Sequence, residues 1–569
     1  MSAILQLLNL PEESRTCPID DLPDELLSYI FQLGVEMEHE GWDEESESAD
    51  AEVEWVDDDE DSDEISDDEA GDGGLSVNGS DLSLKRVLSV VDPFPEVYER
   101  HIVILPFQVL VSHVCRRWRS VALDNHRFWT TLTFCRHPRL AQAKEYISRS
   151  SGLPLTIELD CSTDDDDDDE DDEDLDDISD FTEDAKDALS LEELEQVLDL
   201  LEPVVSHWGK FVFHASRYNS VHALLCRLHQ FPAAPCLESF QVHINDSWDE
   251  SIFIPLENKI PYLPFHGQAP NLREVVFWGI HIDWEGALAN FLRGLRDLEL
   301  SYLTMDVRPK YSTFAEIIRN SPELRTLTLS LAGPVLADGV AFDSDEGWGS
   351  TPLSIPSLTE LVLQFHDPKY AAALVQHLDL PNLTHLCLNF DEEDYSGFVQ
   401  TLARPLNGRS QSFLRKVTHL KISGLPCDIA SVEILMSQLT SLKSLNLKLF
   451  GAEEETIYEK LVNPWAYRIG PASSSTTSSP PVDIPKVFCP KLEEILTTGL
   501  SIKEMKALIL ARRDAGAPLK RIHIAISEDY DVPGTDDELW IKDNVEELYF
   551  FDPSDSEEEY ESDMFSTLD

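Results

Sequence analysis

A short apolar phrase, LxxLxL, recurs along the second half of this chain and limits its fold more than any other feature. Often led by proline, it reads PNLREVVFW at Leu272, LRDLELS at Leu298, SPELRTLTLSL at Leu324, PSLTELVLQF at Leu358 and PNLTHLCLNF at Leu383. KVTHLKIS at Val417, SLKSLNLKL at Leu442, PKLEEIL at Leu492 and PLKRIHIAI at Leu519 carry it on, about 23 to 35 residues apart with one longer gap. Apolar residues alternating at period two predict a strand with one buried face. Helical patterns lie between the phrases at 312–320, 369–378 and 428–439. One such unit cannot bury its apolar face alone, whereas about ten stacked units build a curved α/β solenoid with parallel strands on the concave side.

Charge divides the chain into parts that can and cannot fold. The formal net charge is −66, yet 21 acids and no lysine or arginine lie in 36–72, and 18 acids against Lys186 alone lie in 160–187. Such runs predict solvated, disordered insertions, as does the acidic tail 551–569. Loops are expected at 333–352 and at 464–485, the latter with SSSTTSSPP. The charge disfavours nucleic acid and anionic membrane surfaces and favours basic partners. Ser66, Ser554 and Ser556 each have an acid three residues on, a setting for an acidophilic kinase.

No apolar run approaches the roughly 20 residues of a membrane span; the best, 102–111, contains Pro106. The opening MSAILQLLNLPEE lacks a basic region and a small-residue cleavage site, so cytoplasmic and/or nuclear location is expected. Nine cysteines without a CxxC pair predict reduced, mostly buried thiols.

Near the N-terminus, Leu22-Pro23-Asp24-Glu25-Leu26-Leu27-Ser28-Tyr29-Ile30-Phe31 predicts a short amphipathic helix, with proline and acids in its first turn and Leu26, Leu27, Ile30 and Phe31 on one face. After the acidic insertion, 110–122 predicts a second apolar-periodic helix through Leu110, Val114, Cys115, Trp118 and Val121 or Ala122. Asp124-Asn125-His126 breaks it before Phe128 and Trp129.

These segments resemble the F-box family: LPDELLSYIF is similar to its first helix, and VCRRWRSVALDNHRFW to its second and third. Leu105-Pro106 cannot open the pattern, because VCRRWR would then fall inside the first helix. The next stretch, a helix, a turn at Ser150-Ser151-Gly152, a strand through Leu153, Leu155, Ile157 and Leu159, a helix over 189–205 and a strand from Trp208, is similar to the region after the F-box in fungal-type F-box proteins. The phrase spacing is that of leucine-rich repeats. The expected fold is therefore α/β: an N-terminal three-helix F-box, then an irregular leucine-rich-repeat solenoid, with long acidic insertions.

The expected domains are an F-box at 18–135 with its insertion at about 35–100, a linker α/β segment at 136–234 with the acidic run 160–187, repeats at 235–550 and the acidic tail. The resemblance implies a substrate-recognition subunit of an SCF-type ubiquitin ligase, docking on a Skp-type adaptor and through it a cullin scaffold. The repeats would hold an unknown protein substrate, and the charge of the chain favours a basic one. The resemblance assigns adaptor contact to Leu22, Pro23, Leu26, Leu27, Ile30, Phe31, Leu110, Val114, Cys115, Trp118 and Trp129. The rival expectation is an acidic scaffold or chaperone-like binder of basic proteins acting outside a ligase.

The sequence offers little chemistry. His222, Cys226 and His229 share a helical spacing, but zinc needs a fourth ligand elsewhere. HExxH, P-loop, GxSxG and GxGxxG elements are missing from suitable contexts, and a flexible carboxylate run cannot position a general acid and base. A non-enzyme without metal or cofactor is expected.

Overall fold

Most proline-led phrases enter their strand through a β-turn. In Ala269-Pro270-Asn271-Leu272, Ser321-Pro322-Glu323-Leu324, Ile355-Pro356-Ser357-Leu358 and Cys489-Pro490-Lys491-Leu492, the leucine N–H donates to the carbonyl three residues earlier over 3.1 to 3.3 Å. Proline presets φ for the second turn position. Each of these leucines turns inward and is at most 1% exposed, and two residues later the chain enters a strand. Asn271 and Asn382 stitch neighbouring repeats together, donating to the carbonyls of Pro235 (2.7 Å) and Pro356 (2.8 Å).

The structure, a computed structural model, describes residues 19, 22–45, 105–162, 188–244, 253, 256–335, 348, 352–390, 393–405, 410–448, 455–464, 487–525 and 536–551. The acidic stretches 46–104 and 163–187, most of the expected loops 333–352 and 464–485, the tail from 552 and the three serines named above lie outside these residues. The chain divides into two compact units, Met1–Phe128 and Trp129–Asp569.

Among the described residues of the second unit, fourteen strands form one parallel sheet in chain order. They are β1 (Thr131–Phe134), β2 (Leu155–Cys161), β3 (Trp208–Ala215), β4 (Ser239–Ile244), β5 (Glu274–Trp278), β6 (Asp297–Ser301), β7 (Thr326–Ser330), β9 (Glu360–Gln364), β11 (His385–Asn389), β12 (His419–Ser423), β13 (Ser444–Lys448), β14 (Glu494–Thr498), β15 (Arg521–Ala525) and β16 (Glu547–Phe551). The short strands β8 (Leu353–Ser354) and β10 (Leu378–Asp379) pair separately, also in parallel. Segments 136–234 and 235–550 share the single ladder, and the register shifts once, between Leu155 and Thr156. Strands β1, β4 and β16 extend the ladder beyond the recurring phrase.

Alternation within each strand separates the two faces. Pairs such as Val275 and Phe277, Leu327 and Leu329, and Leu386 and Leu388 are no more than 2% exposed. Burying each side chain contributes about 1.5–3 kcal/mol. Helices Tyr311–Arg319, Pro368–Gln376 and Ile429–Gln438 occupy the three predicted positions, and Asp428 caps the last by accepting from Ser431 N–H. The chain is thus α/β with a long, solenoid-like parallel sheet.

Two expectations for the N-terminal unit need correction. The first helix, α1 (Asp24–Glu45), continues ten residues into the region assigned to the insertion, since glutamate and methionine are good helix formers. The segment 110–122 is not one helix. It breaks into α2 (Phe107–Ser112) and α3 (Arg116–Asp124). The Ser112 hydroxyl donates back to the Val109 carbonyl (2.7 Å), and extended Cys115 starts α3 as its N-cap, its Sγ accepting from Trp118 N–H. VCRRWR therefore opens the third helix, and FQVLVS forms the second.

At Gly424, φ is +61° and an added Cβ would collide with the Phe390 carbonyl oxygen. Gly424→Ala should cost more than about 2 kcal/mol. Gly397→Ala, in a helix with open space around it, should stabilise by about 0.4–1 kcal/mol; thermal unfolding of the two variants checks the contrast.

His281 is 4% exposed, and neither ring nitrogen has a hydrogen-bond partner among the described residues. Desolvation, helped by the Lys259 charge and opposed by Asp306, lowers its pKa to about 4. Between the ordinary value near 6.5 and about 4, the unfolded chain takes up the proton first, so stability falls as pH falls through that window. Replacing His281 with Phe should flatten this dependence by up to about 1.4 kcal/mol per pH unit, measured by denaturant unfolding from pH 7 to 5.

Candidate protein-interaction surfaces

Helix α1 is apolar on two faces. Leu27, Phe31 and Val35 recur every fourth residue and form its buried stripe. Phe31 meets the Trp118 ring at 4.9 Å between centroids, and Gly34 gives the Phe107 ring close access to the helix backbone. On another face Leu26, Ile30, Leu33 and Met37 form a second stripe, 40 to 70% exposed, beside exposed Tyr29. Leu105, Leu110 and Val114 add exposed apolar side chains around α2. A helix that needs only its own core carries one apolar stripe, and a second marks a surface that takes a partner.

Polar bonds hold the unit's start. Arg117 Nε donates to Asp24 Oδ1 (2.8 Å), its guanidinium also reaches the Leu22 carbonyl, and Asn125 Nδ2 donates to Ser28 Oγ (2.8 Å). One arginine of VCRRWR thus works inside the unit.

The residues assigned to adaptor contact fall into three groups. Pro23, Leu26, Ile30, Leu110, Val114 and Cys115 are exposed, Leu22 and Trp118 are half-buried, and Leu27 and Phe31 are buried. The expected shared face of Leu26, Leu27, Ile30 and Phe31 is therefore split, because adjacent residues differ by about 100° around a helix. Trp129 is fully buried in the second unit, edge-on to Tyr146 at 5.0 Å and beneath the Arg149 guanidinium at 4.4 Å. Tyr29, Leu33, Met37 and Leu105 are exposed as well, and the sequence signal for Leu33 and Met37 is the continuation of the 26, 30 pattern.

In the second unit, the polar face of the sheet carries a groove of about 390 Å³ between β5 and β13. Stacked rings lie on this face: His214 on His243 at 4.7 Å, His385 on His419 at 4.3 Å and His523 on Tyr549 at 4.9 Å. Desolvation, with the neighbouring imidazole, lowers His243 and His419 to about 4. Burial raises Glu494, but hydrogen bonds from His523 and Arg521 outweigh it and hold the carboxyl at about 2.

The His222, Cys226 and His229 trio is otherwise engaged. The Tyr262 hydroxyl bonds His222 Nε2 (3.1 Å), and Leu263 N–H donates to His229 Nδ1 (3.1 Å). No group of three or more His, Cys, Asp and Glu side chains among the described residues is arranged to hold a metal ion. The described cysteines are free thiols, but only Cys161 and Cys489 are buried, which corrects the expectation that most would be. Burial pushes both thiols up to about 12. No described helix is long and apolar enough to cross a membrane.

No protein-family model and no curated protein matches the chain. Among solved structures, the leucine-rich repeat-containing protein LegL7 from Legionella pneumophila is similar at a TM-score of 0.29 and 11% identity, over 59% of this chain and 96% of that one. The Rad7 and Elc1 complex in yeast is similar at 0.28 and 12%, over 61% and 87%. The α/β assignment rests on the parallel ladder itself.

The division of α1 into two stripes is testable by folding alone. Phe31→Ala should destabilise the N-terminal unit by about 3–5 kcal/mol, whereas Leu26→Asp should change it by no more than about 0.5 kcal/mol. Hydrogen exchange of the α1 amides reads both.

Proposed function

We propose that this chain is the non-catalytic substrate-recognition subunit of an SCF-type ubiquitin ligase, acting in the cytoplasm and/or nucleus. Its three N-terminal helices dock on a Skp-type adaptor, which joins a cullin scaffold, and its repeat sheet receives the protein substrate. The second apolar stripe of α1 carries the reading: Leu26, Ile30, Leu33 and Met37 stand exposed on a helix whose own core is already filled by Leu27 and Phe31. Catalysis in such an assembly is proximity, supplied by bringing substrate and ubiquitin donor together.

The test is binding of the full-length chain to a purified Skp-type adaptor. An apolar interface should hold at high salt. Ile30→Asp and Leu110→Asp should each weaken it by at least about 30-fold, about 2 kcal/mol, and deletion of 46–95 should leave it intact. Absence of adaptor binding, with salt-labile capture of basic proteins instead, would transfer the assignment to an acidic scaffold, the reading that the net charge of −66 favours.

A further inference from the structure

Strands β5, β6, β7 and β9 all end in the same backbone device. The next residue donates its N–H to the last residue of the following strand: Gly279 to Ser301 (2.8 Å), Tyr302 to Ser330 (2.8 Å), Leu331 to Gln364 (2.9 Å) and Phe365 to Asn389 (2.8 Å). All four have positive φ, as do Gly424 and Gly499 at the same place in later repeats. Glycine meets this conformation without strain, and bulky residues are disfavoured in it. Tyr302 (φ 55°) and Phe365 (φ 54°) nevertheless occupy it, and both line the groove on the polar face. Strain held at such a place is a pointer to function.

The side chains there form a built recess. The Tyr302 and Phe365 rings lie 6.3 Å apart at 27°, and Trp278 meets Tyr302 edge-on at 5.9 Å. Ser330 lines the same recess, in register between Ser301 and Gln364. It is 2% exposed, and its hydroxyl has no hydrogen-bond partner among the described residues. A buried hydroxyl left unmatched is unfavourable, and a ligand donor at this point would satisfy it.

The charge in the recess selects the donor. Glu299 and Glu360 also line the groove, and Glu299 Oε1 accepts from the Trp278 indole and from the Ser301 hydroxyl (3.1 Å). Lys421 lines the groove on β12, four strands beyond Glu299 and two beyond Glu360, about 19 and 10 Å away at the usual strand spacing. Glu299, bonded to the Trp278 indole, is therefore the carboxylate at the aromatic end. Ring faces and carboxylates together favour a cation, and a flat guanidinium stacks on rings while donating to hydroxyl and carboxylate at once.

We infer that the aromatic end of this groove receives an arginine side chain from a peptide segment of the partner protein. The guanidinium lies against Tyr302 and Phe365, donates to Ser330 Oγ and pairs with Glu299. This rests on the substrate-receptor reading above and names the chemistry of the segment received. The net charge of −66 draws basic segments toward the chain before contact.

The probe is a random-sequence peptide display library screened on the full-length chain at physiological salt, followed by synthesis of the leading peptide. The selected sequences should share an arginine at one aligned position. Citrulline there should weaken binding at least about tenfold, with lysine intermediate. Tyr302→Gly should leave thermal stability unchanged or raised while weakening the peptide at least about tenfold, and Ser330→Ala should act in the same sense; a purely structural tyrosine would not separate the two readouts. Recovery of no peptide, of neutral or acidic consensus sequences, or equal binding by the citrulline peptide or by Tyr302→Gly overturns the inference. Adaptor binding is measured on the same samples. Adaptor binding retained with peptide binding absent overturns only the arginine site, and peptide binding retained with adaptor binding absent overturns only the receptor assignment.

Discussion

Every strand of the second unit depends on its neighbours for backbone hydrogen bonds. In a parallel ladder each strand satisfies one edge with the repeat before it and the other with the repeat after it, so an isolated strand and helix would leave both edges and a row of leucines in water. Stacking resolves both deficits at once. The register Leu298, Leu327, Leu361, Leu386, Leu420 and Leu445 places one buried leucine directly beside the next across six strands. Because the ladder constrains only the strand and its entry turn, the connections are free to vary. The acidic run 163–187 falls between β2 and β3, which still pair in parallel along their length with one register shift, in keeping with a closure entropy that grows only logarithmically with loop length.

The ladder also explains why one face of the second unit's sheet is polar. Most parallel sheets are covered on both faces, but here the leucines fill one face and the other carries Glu299, Thr328, Val362, Cys387 and Lys421 in register. That face is free of the packing requirement. Its side chains can vary from repeat to repeat while the ladder holds them at fixed spacing, which is the property a recognition surface needs.

The N-terminal unit meets the opposite constraint. With one long and two short helices it has little apolar surface to spare, yet α1 leaves Leu26, Ile30, Leu33 and Met37 exposed while burying Leu27, Phe31 and Val35. Phe31 and Trp118 close its interior, while Leu26 and Ile30 remain 50% and 43% exposed. The exposed second stripe is the physical basis of the docking role proposed above.

The strand phrases, their helices and the α/β class were legible in the sequence because period-two and period-3.6 patterns follow from backbone geometry alone. PxL phrases marked strand entry because proline sets one turn dihedral. Strands β1, β4 and β16 were less visible: TLTF, SFQVHI and ELYFF lack the full leucine phrase and are recruited by the edge that the ladder offers. The break at His113–Cys115 escaped detection because its residues continue an apolar rhythm across a cap. By itself, then, the sequence determined what repeats, what is too charged to pack and which residues are apolar enough to be core. Tertiary structure alone decided which apolar residues are core and which are surface, separating Leu26 from Leu27 and drawing Trp129 into the repeat unit. It also brought Trp278, Tyr302, Ser330 and Phe365 into one recess. Burial and proximity between distant segments are properties of packing, and no local pattern encodes them.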